Sequence, residues 1–473
     1  MKKRYHNLLL SLLLSVVLFS MLSAGGDKFS PRIVGMGRTF TALSRGLDAV
    51  GTNPANLALN DRDASFTLNI IPIGFQIGSD LFNYKIYNDY FTGIPDPNDP
   101  NNRISKPLND NDKKDILGLF PEGIARTQMR FETAPIGISL QIGDFGFALV
   151  PSLLTAVNLD LSEGYMKFAL NGFEEGGSTY SFNGTALNSS AVAEVNASFA
   201  YILPLTLPNI DEISVGVGVK YLQGLAFLGT DRYNATIETT GETYTDPNTG
   251  ETVFLPRSVR GNFDFLQYFA LDTTDFKPVG SGMGYDIGVS ALLLNAIRVG
   301  VSVTDIGSIT WDKYTKAIEG NSQFELKGIG DKDGQDSLAK AFKGKTKDTT
   351  AFEFDLPTAF HLGVEMRVDE IVEAIPFRWT VAVDLHLGLN EVAGNTKIPQ
   401  VALGTELDPL AGWLPLRTGI LIGGRDRFSW AAGFGIHLAN TFDLDFATQS
   451  IAMLTNPNSF RTGSITMGMR LRF

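Results

Sequence analysis

The last ten residues, Ser464-Ile-Thr-Met-Gly-Met-Arg-Leu-Arg-Phe473, put Ile465, Met467, Met469, Leu471 and Phe473 on one face and Thr466, Gly468, Arg470 and Arg472 on the other. Side chains alternate in this way only in an extended chain, so a period of two marks a strand with one apolar and one polar face. From Phe377 to Asn390 the pattern repeats, with Trp379, Val381, Val383, Leu385 and Leu387 set against Arg378, Thr380, Asp384, His386 and Gly388. Comparable runs cover Leu356–Val368, Ile213–Tyr221, Tyr285–Leu293, Ile297–Val303, Ile136–Ile142 and Trp430–Leu438. Several exceed the five or six residues usual for a strand in water.

Which face is the core decides the fold class. The polar faces are rich in Gly, Ser, Thr and Ala with isolated charges, unlike the Lys/Glu-dense surface of a soluble protein. An apolar face toward lipid and a polar face toward a lumen fit this pattern, and the reading is all-β: a transmembrane antiparallel barrel. Fourteen strand starts are expected, near Ala64, Thr127, Asp144, Ala191, Asp211, Gly282, Ala296, Leu356, Pro376, Ile398, Leu414, Phe428, Thr441 and Ser459. Short connections at Gly143-Asp144 and Asn295-Ala296 read as periplasmic turns. Long extracellular loops are expected near 80–126, 162–190, 232–281 and 312–355, all polar, with turn-rich segments at Asp96–Asn102, Tyr244–Glu251 and Lys327–Asp348. Phe473, a terminal aromatic, reads as a C-terminal assembly signal for barrel-assembly machinery. No linker separates two cores, so residues 64–473 read as one barrel.

Composition excludes several other classes. The chain of 473 residues has no Cys, which removes disulfides, thiolate metal sites, a thiol nucleophile and a lipidated N-terminal cysteine. Four His leave little for a histidine-rich metal centre, and a net charge of −12 argues against nucleic acid as a partner. Residues 1–24 carry Lys2-Lys3-Arg4, an apolar stretch from Leu8 to Leu22 and small residues at Ser23-Ala24-Gly25. That order describes a signal peptide cleaved after Ala24 or Gly25, with a signal anchor as the alternative. It points to an exported protein of the cell outer membrane in a Gram-negative cell. No later stretch is long and apolar enough for a membrane helix.

Between signal and first strand, residues 25–63 do not alternate. The stretch is rich in small residues, and Asn53-Pro54-Ala55-Asn56 reads as a turn leading into a helical start. It is expected to enter the lumen as a plug, or hatch, of short helices. The run Gly35-Met-Gly-Arg-Thr-Phe-Thr-Ala-Leu-Ser-Arg-Gly-Leu-Asp-Ala-Val-Gly-Thr-Asn-Pro-Ala-Asn-Leu-Ala58 resembles the N-terminal segment of the FadL/TodX superfamily of outer-membrane barrels. Val303–Gly307, Leu356–Gly363 and Leu414–Gly419 look like later family segments. The resemblance implies a 14-stranded barrel occluded by an N-terminal hatch and the passive uptake of long-chain fatty acids or aromatic hydrocarbons. Gly35, Met36, Gly37, Asp48, Asn53, Pro54, Ala55 and Asn56 carry the hatch motif, which departs from the family at Asn56, where Gly is usual.

Two sets of residues are candidates for chemistry. His361, Glu365, Arg367, Arg378, Asp384, His386, His437, Asp443, Asp445, Arg470 and Arg472 share inward faces of late strands. They read as a polar relay beneath a ligand path, or as a charge-paired network that fills the lumen and braces the plug; the mixed signs favour the network. Asp384, His386 and a serine place no nucleophile within reach of a base on sequence alone, so no enzyme is expected. Asp160 and Asp355 lie in no calcium-loop pattern, and Lys327–Gly334 matches no phosphate loop, so no metal and no cofactor is expected. Leu81, Phe82, Tyr84, Tyr87, Tyr90 and Phe91, with Leu117 and Phe120, form the second set. They read either as a hydrophobic ligand groove near the outer surface or as an interfacial aromatic girdle. The expected partners are outer-membrane lipid and a hydrophobic small molecule. The alternative is an exported protein, as for the shuttle barrels of type IX secretion, or a structural outer-membrane role.

Overall fold

The alternating segments become the staves of a closed wall. The computed structural model describes residues 29–473 except 63, 82–83, 98, 173–176, 206, 246, 248–249, 251, 276, 328–330, 411, 439–440 and 456–460. The expected signal peptide and its cleavage site lie outside the described residues.

Among them, fourteen antiparallel strands close into a barrel. The first seven are β1 (Phe66–Ser79), β2 (Ile124–Thr133, then Ile136–Ile142), β3 (Phe145–Ser162), β4 (Ala186–Ile202), β5 (Ile210–Thr245), β6 (Gly280–Leu293) and β7 (Ile297–Trp311). The others are β8 (Phe352–Asp355, then Ala359–Arg367), β9 (Arg378–Gly388), β10 (Gln400–Asp408), β11 (Leu416–Gly423), β12 (Arg427–Leu438), β13 (Phe442–Thr448) and β14 (Thr462–Arg472). The ring closes where β14 pairs with β1, Leu471 opposite Leu68 and Ile465 opposite Phe75. Phe473 finishes the seam, its carbonyl accepting from the Ser65 and Phe66 amides at 2.8 and 2.9 Å. Each expected strand start falls at one of these strands; the widest difference is at β4, expected near Ala191 and found at Ala186.

The wall is inside out relative to a soluble sandwich. On β14, Ile465 is 62% exposed while Thr466 is fully buried and Arg472 is 5% exposed. Ile136, Val217, Val289, Leu403, Ile422 and Trp430 likewise face outward. A continuous apolar exterior around a polar interior is the surface a bilayer requires, and a closed barrel leaves no strand edge unpaired in lipid. No helix of the described residues is long and apolar enough to cross a membrane.

Above the barrel the structure differs from the expected loops. The stretch expected as a turn-rich loop at 232–281 is a tall ribbon: β5 runs on to Thr245 and returns as Thr252–Leu271. That return strand pairs in turn with Thr315–Leu326. The face pattern changes between Gly224 and Gly229, where the register with β4 skips Leu225, and Gly229, Ala235 and Ile237 are then buried. Above the membrane the other face meets water, so Thr, Asn and Glu replace the lipid-facing apolar residues and the strand signal weakens in the sequence. Lys332–Lys343, expected as part of a solvated loop, is a helix capped by Asp331. The ribbon, this helix and Glu163–Asn171 share a core of Tyr180, Phe182, Val259, Phe263, Phe265 and Phe324.

Candidate functional site

The inner segment from Phe29 to Asn60 lies inside the barrel and is almost wholly buried. Short helices at Pro31–Gly35, Gly46–Ala49 and Pro54–Ala58 suit a stretch punctuated by Gly35, Gly37, Gly46, Gly51 and Pro54. Asn53 caps the last of them, accepting from the Ala55 amide at 3.2 Å, and donates to the Thr41 carbonyl at 2.7 Å. Asn56, the departure from the family motif, donates to that same carbonyl and to Ser44 Oγ, both at 3.0 Å.

The wall receives this segment on glycines. A β-carbon on Gly146 would strike the Leu57 carbonyl, on Gly216 the Ala55 amide, on Gly288 the Asn53 side chain, on Gly300 the Thr41 carbonyl, and on Gly404 the Met36 carbonyl. Gly216 stands opposite Gly288, Gly300 opposite Gly363 and Gly404 opposite Gly419, so small residues line up across neighbouring strands. Gly37 has a φ of +67° and runs directly against the backbone at Ile420, a close approach only glycine permits there.

Charges complete the attachment. Asp48 is held by both terminal nitrogens of Arg470, and Asp61 by Arg472. Arg45 donates to Glu365 at 2.6 Å, and Arg62 pairs with Asp443 at 3.4 Å. Asp384 Oδ2 accepts from the Phe40 amide at 2.9 Å, the Thr41 amide at 2.7 Å and the Thr41 hydroxyl at 2.6 Å. His386 Nε2 lies 2.9 Å from the Arg38 carbonyl, so it is the donor there, and its Nδ1 meets His361 Nδ1 at 2.8 Å. Phe40 stacks on His386 with ring centres 4.7 Å apart. His437, Asp443 and Asp445 converge closely enough to offer three ligand atoms to a cation. Their carboxylates are already matched: Arg472 Nε donates to Asp443 at 2.6 Å, and Arg417 pairs with Asp445. Arg367 and Arg378 stand exposed at the periplasmic ends of β8 and β9, outside this buried set.

Some partners were not singled out in the sequence. Arg38 donates to Gln449 at 3.0 Å and to Gln76 at 2.6 Å. Both amides reach on to Asp426, as do Gln128 and Thr462. Glu406 joins Arg32 at 2.8 Å to Arg417 at 2.6 Å. Lys220 bridges Asp286 at 2.9 Å and Asp305 at 2.5 Å. Inward phase along β1, β5 and β10 was the available signal for Gln76, Lys220 and Glu406; Asp426 sits in a turn and carries none.

The wall is interrupted beside the inner segment. On β1 the register slips between Ile70 and Ile73, with Ile71 at φ +44° and Pro72 next to it. The facing strand β2 breaks at Ala134-Pro135. Behind this break lies a cavity of about 50 Å³ lined by Phe29, Leu47, Val50, Pro72, Ala134 and Val150, with Ser30, Asp48, Asn69, Gly74, Glu132 and Arg470. Outside it, Pro135, Pro151, Leu153, Val195 and Tyr221 line a groove of about 380 Å³.

The aromatic insertion is divided. Leu119, Phe120 and Ala125 pack with Leu81, Ile86, Leu161 and Met166 into a small closed core, and Leu117 is half-buried. Tyr87 is exposed, and Tyr90 donates from its hydroxyl to Asp115 at 3.0 Å. Phe82 and the side chains of Tyr84 and Phe91 fall outside the described residues.

Residues 54–442 match a sequence family described as a family of unknown function, DUF5723. The chain belongs to that family. No curated protein matches it. Among solved structures it is similar to the toluene transporter TbuX of Ralstonia pickettii, at 13% identity, with 95% of this chain and 99% of that one covered and a TM-score of 0.44. It is also similar to the Pseudomonas putida toluene transporter TodX, at 10% identity, covering 95% and 98%, with a TM-score of 0.43. A Pseudomonas aeruginosa FadL homologue gives 10%, 95%, 98% and 0.40 in the same order. The DUF5723 match takes in the wall break and the Pro54–Ala58 helix, and it stops short of β14, whose Arg470 and Arg472 hold the inner segment.

Proposed function

We propose that this DUF5723 barrel sits in the outer membrane and passes hydrophobic small molecules sideways into the bilayer, with the inner segment as the plug. The break at Ile71-Pro72 and Ala134-Pro135 carries the reading, because it sets a cavity beside the plug and a groove toward lipid on opposite faces of one thin stretch of wall. A route down the barrel axis would cross buried ion pairs such as Lys220–Asp286 and Arg417–Glu406, where an apolar solute gains nothing and a polar one meets no free space. The approach from outside is apolar. Leu154, Val192, Leu222, Ile309, Trp311 and Leu356 form a cluster in the upper lumen. Val150, on the same face of β3 as Leu154 and lower in the barrel, lines the cavity.

The test uses vesicles whose outer leaflet is lipopolysaccharide, since a plain phospholipid bilayer does not hold back apolar solutes. Ala134→Trp fills the cavity and should cut decane entry at least several-fold, with heat-modifiable gel mobility reporting that the barrel still folds. Undiminished entry through a folded Ala134→Trp barrel contradicts the route.

A further inference from the structure

Asn69 is the one polar side chain of the cavity whose bonding is left open. It points inward from β1, is 8% exposed, and its Oδ1 is buried with no hydrogen-bond partner among the described residues. A buried amide oxygen left in that state is costly, and such atoms are uncommon in folded proteins. The other polar lining groups are engaged: Asp48 with Arg470, Arg470 also with Ser30 at 3.4 Å, and Glu132 with the Phe29 amide at 2.9 Å.

We propose that the solute is an uncharged apolar molecule ending in a single hydroxyl, an aliphatic alcohol or a phenol, whose hydroxyl lodges against Asn69. This rests on the sideways route above and names its substrate class. A hydroxyl donates to Oδ1 and accepts from an amide N–H, so it satisfies Asn69 in either orientation of the amide. The charged groups around the cavity are two carboxylates, Asp48 and Glu132, against one guanidinium, Arg470. A fatty-acid carboxylate would add a third negative charge there. Apart from Ser30, whose hydroxyl already accepts from Arg470, the remaining lining is apolar, which leaves a second hydroxyl only groups that are already bonded. At about 50 Å³ the cavity takes a hydroxyl and the first few carbons, given that one water needs about 10–15 Å³ on the same measure. The rest of the molecule extends toward the groove outside Pro135 and Pro151.

Entry of decane, 1-decanol, decanoate and decylamine into lipopolysaccharide-faced vesicles gives the first readout, and native mass spectrometry of adducts on the purified barrel gives the second. Decanol should enter and bind about tenfold better than decane, the worth of roughly one hydrogen bond. In Asn69→Leu that ratio should fall toward one, and in Asn69→Thr, which keeps a hydroxyl partner, it should largely survive. A wild-type ratio near one, a preference for decanoate or decylamine, or a ratio unmoved in Asn69→Leu overturns the assignment. If no probe enters, the sideways route fails; the decanol adduct and its loss in Asn69→Leu then still decide the hydroxyl site by themselves.

Discussion

At the scale of single residues, the inner segment is held by buried charges that have few alternatives. Asp48 is buried, and Arg470 is its ion-pair partner. Arg470→Leu should therefore destabilise the barrel by about 3–5 kcal/mol, the usual consequence of stranding one member of a buried pair. The temperature at which the folded gel band is lost reads this out. Adding Asp48→Asn to the same chain should recover most of the loss, because the stranded charge is then gone. Outside the membrane, partial burial and the hydrogen bond to Asp115 push the Tyr90 phenol up to about 12. A raised value means that the folded state holds the proton more tightly, so the contribution is complete below pH 10 and is lost as pH climbs toward 12. Ultraviolet titration of wild type against Asp115→Asn should show one tyrosine moving from about 12 back toward 10, while the late ionisation of Tyr165 and Tyr233, raised by burial, is unchanged. The sequence marked Asp384, His386, Arg470 and Arg472 through their inward phase, and Asp48 through the resemblance of its segment to the hatch motif. It did not mark Arg38, Gln449 or Asp426, which meet only when segments hundreds of residues apart close the ring. Arg367 and Arg378 had the right phase, but their strands end at the rim, where side chains reach water.

At the scale of elements, strand periodicity was legible along the barrel wall, since an apolar exterior on one side and the packed inner segment on the other allow only one pattern. Above the bilayer that constraint lapses. The ribbon formed by β5 and Thr252–Leu271 read as loop because its outer face carries Thr, Asn and Glu, yet it has a hydrophobic core of its own around Phe263, which is fully buried. Phe263→Ala should cost about 3–5 kcal/mol locally. Limited proteolysis should then cleave the ribbon and the Lys332–Lys343 helix much faster, while the barrel's heat-modifiable mobility stays as in wild type. Equal loss of both would mean that ribbon and barrel fold as one unit. The wall break went unseen for a different reason. Ile71-Pro72 and Ala134-Pro135 each look like ordinary punctuation, and only their pairing across neighbouring strands makes a gap.

At the scale of the whole molecule, the barrel combines a filled lumen with a weak place in its side at Ile71-Pro72 and Ala134-Pro135. The glycine excess, 49 residues, is placed in large part where the wall meets the inner segment, as at Gly216, Gly288, Gly300 and Gly404. Removing residues 30–56 should leave those positions facing empty space and let small polar solutes through, measurable as inositol leakage. An unchanged leak would deny the segment its role as plug. For the intact protein the most direct measurement is paired entry of decane and inositol into the same lipopolysaccharide-faced vesicles. Sideways passage around a closed lumen predicts that decane enters well above protein-free vesicles while inositol stays at their level; inositol entering alongside decane, or decane held out, would contradict it.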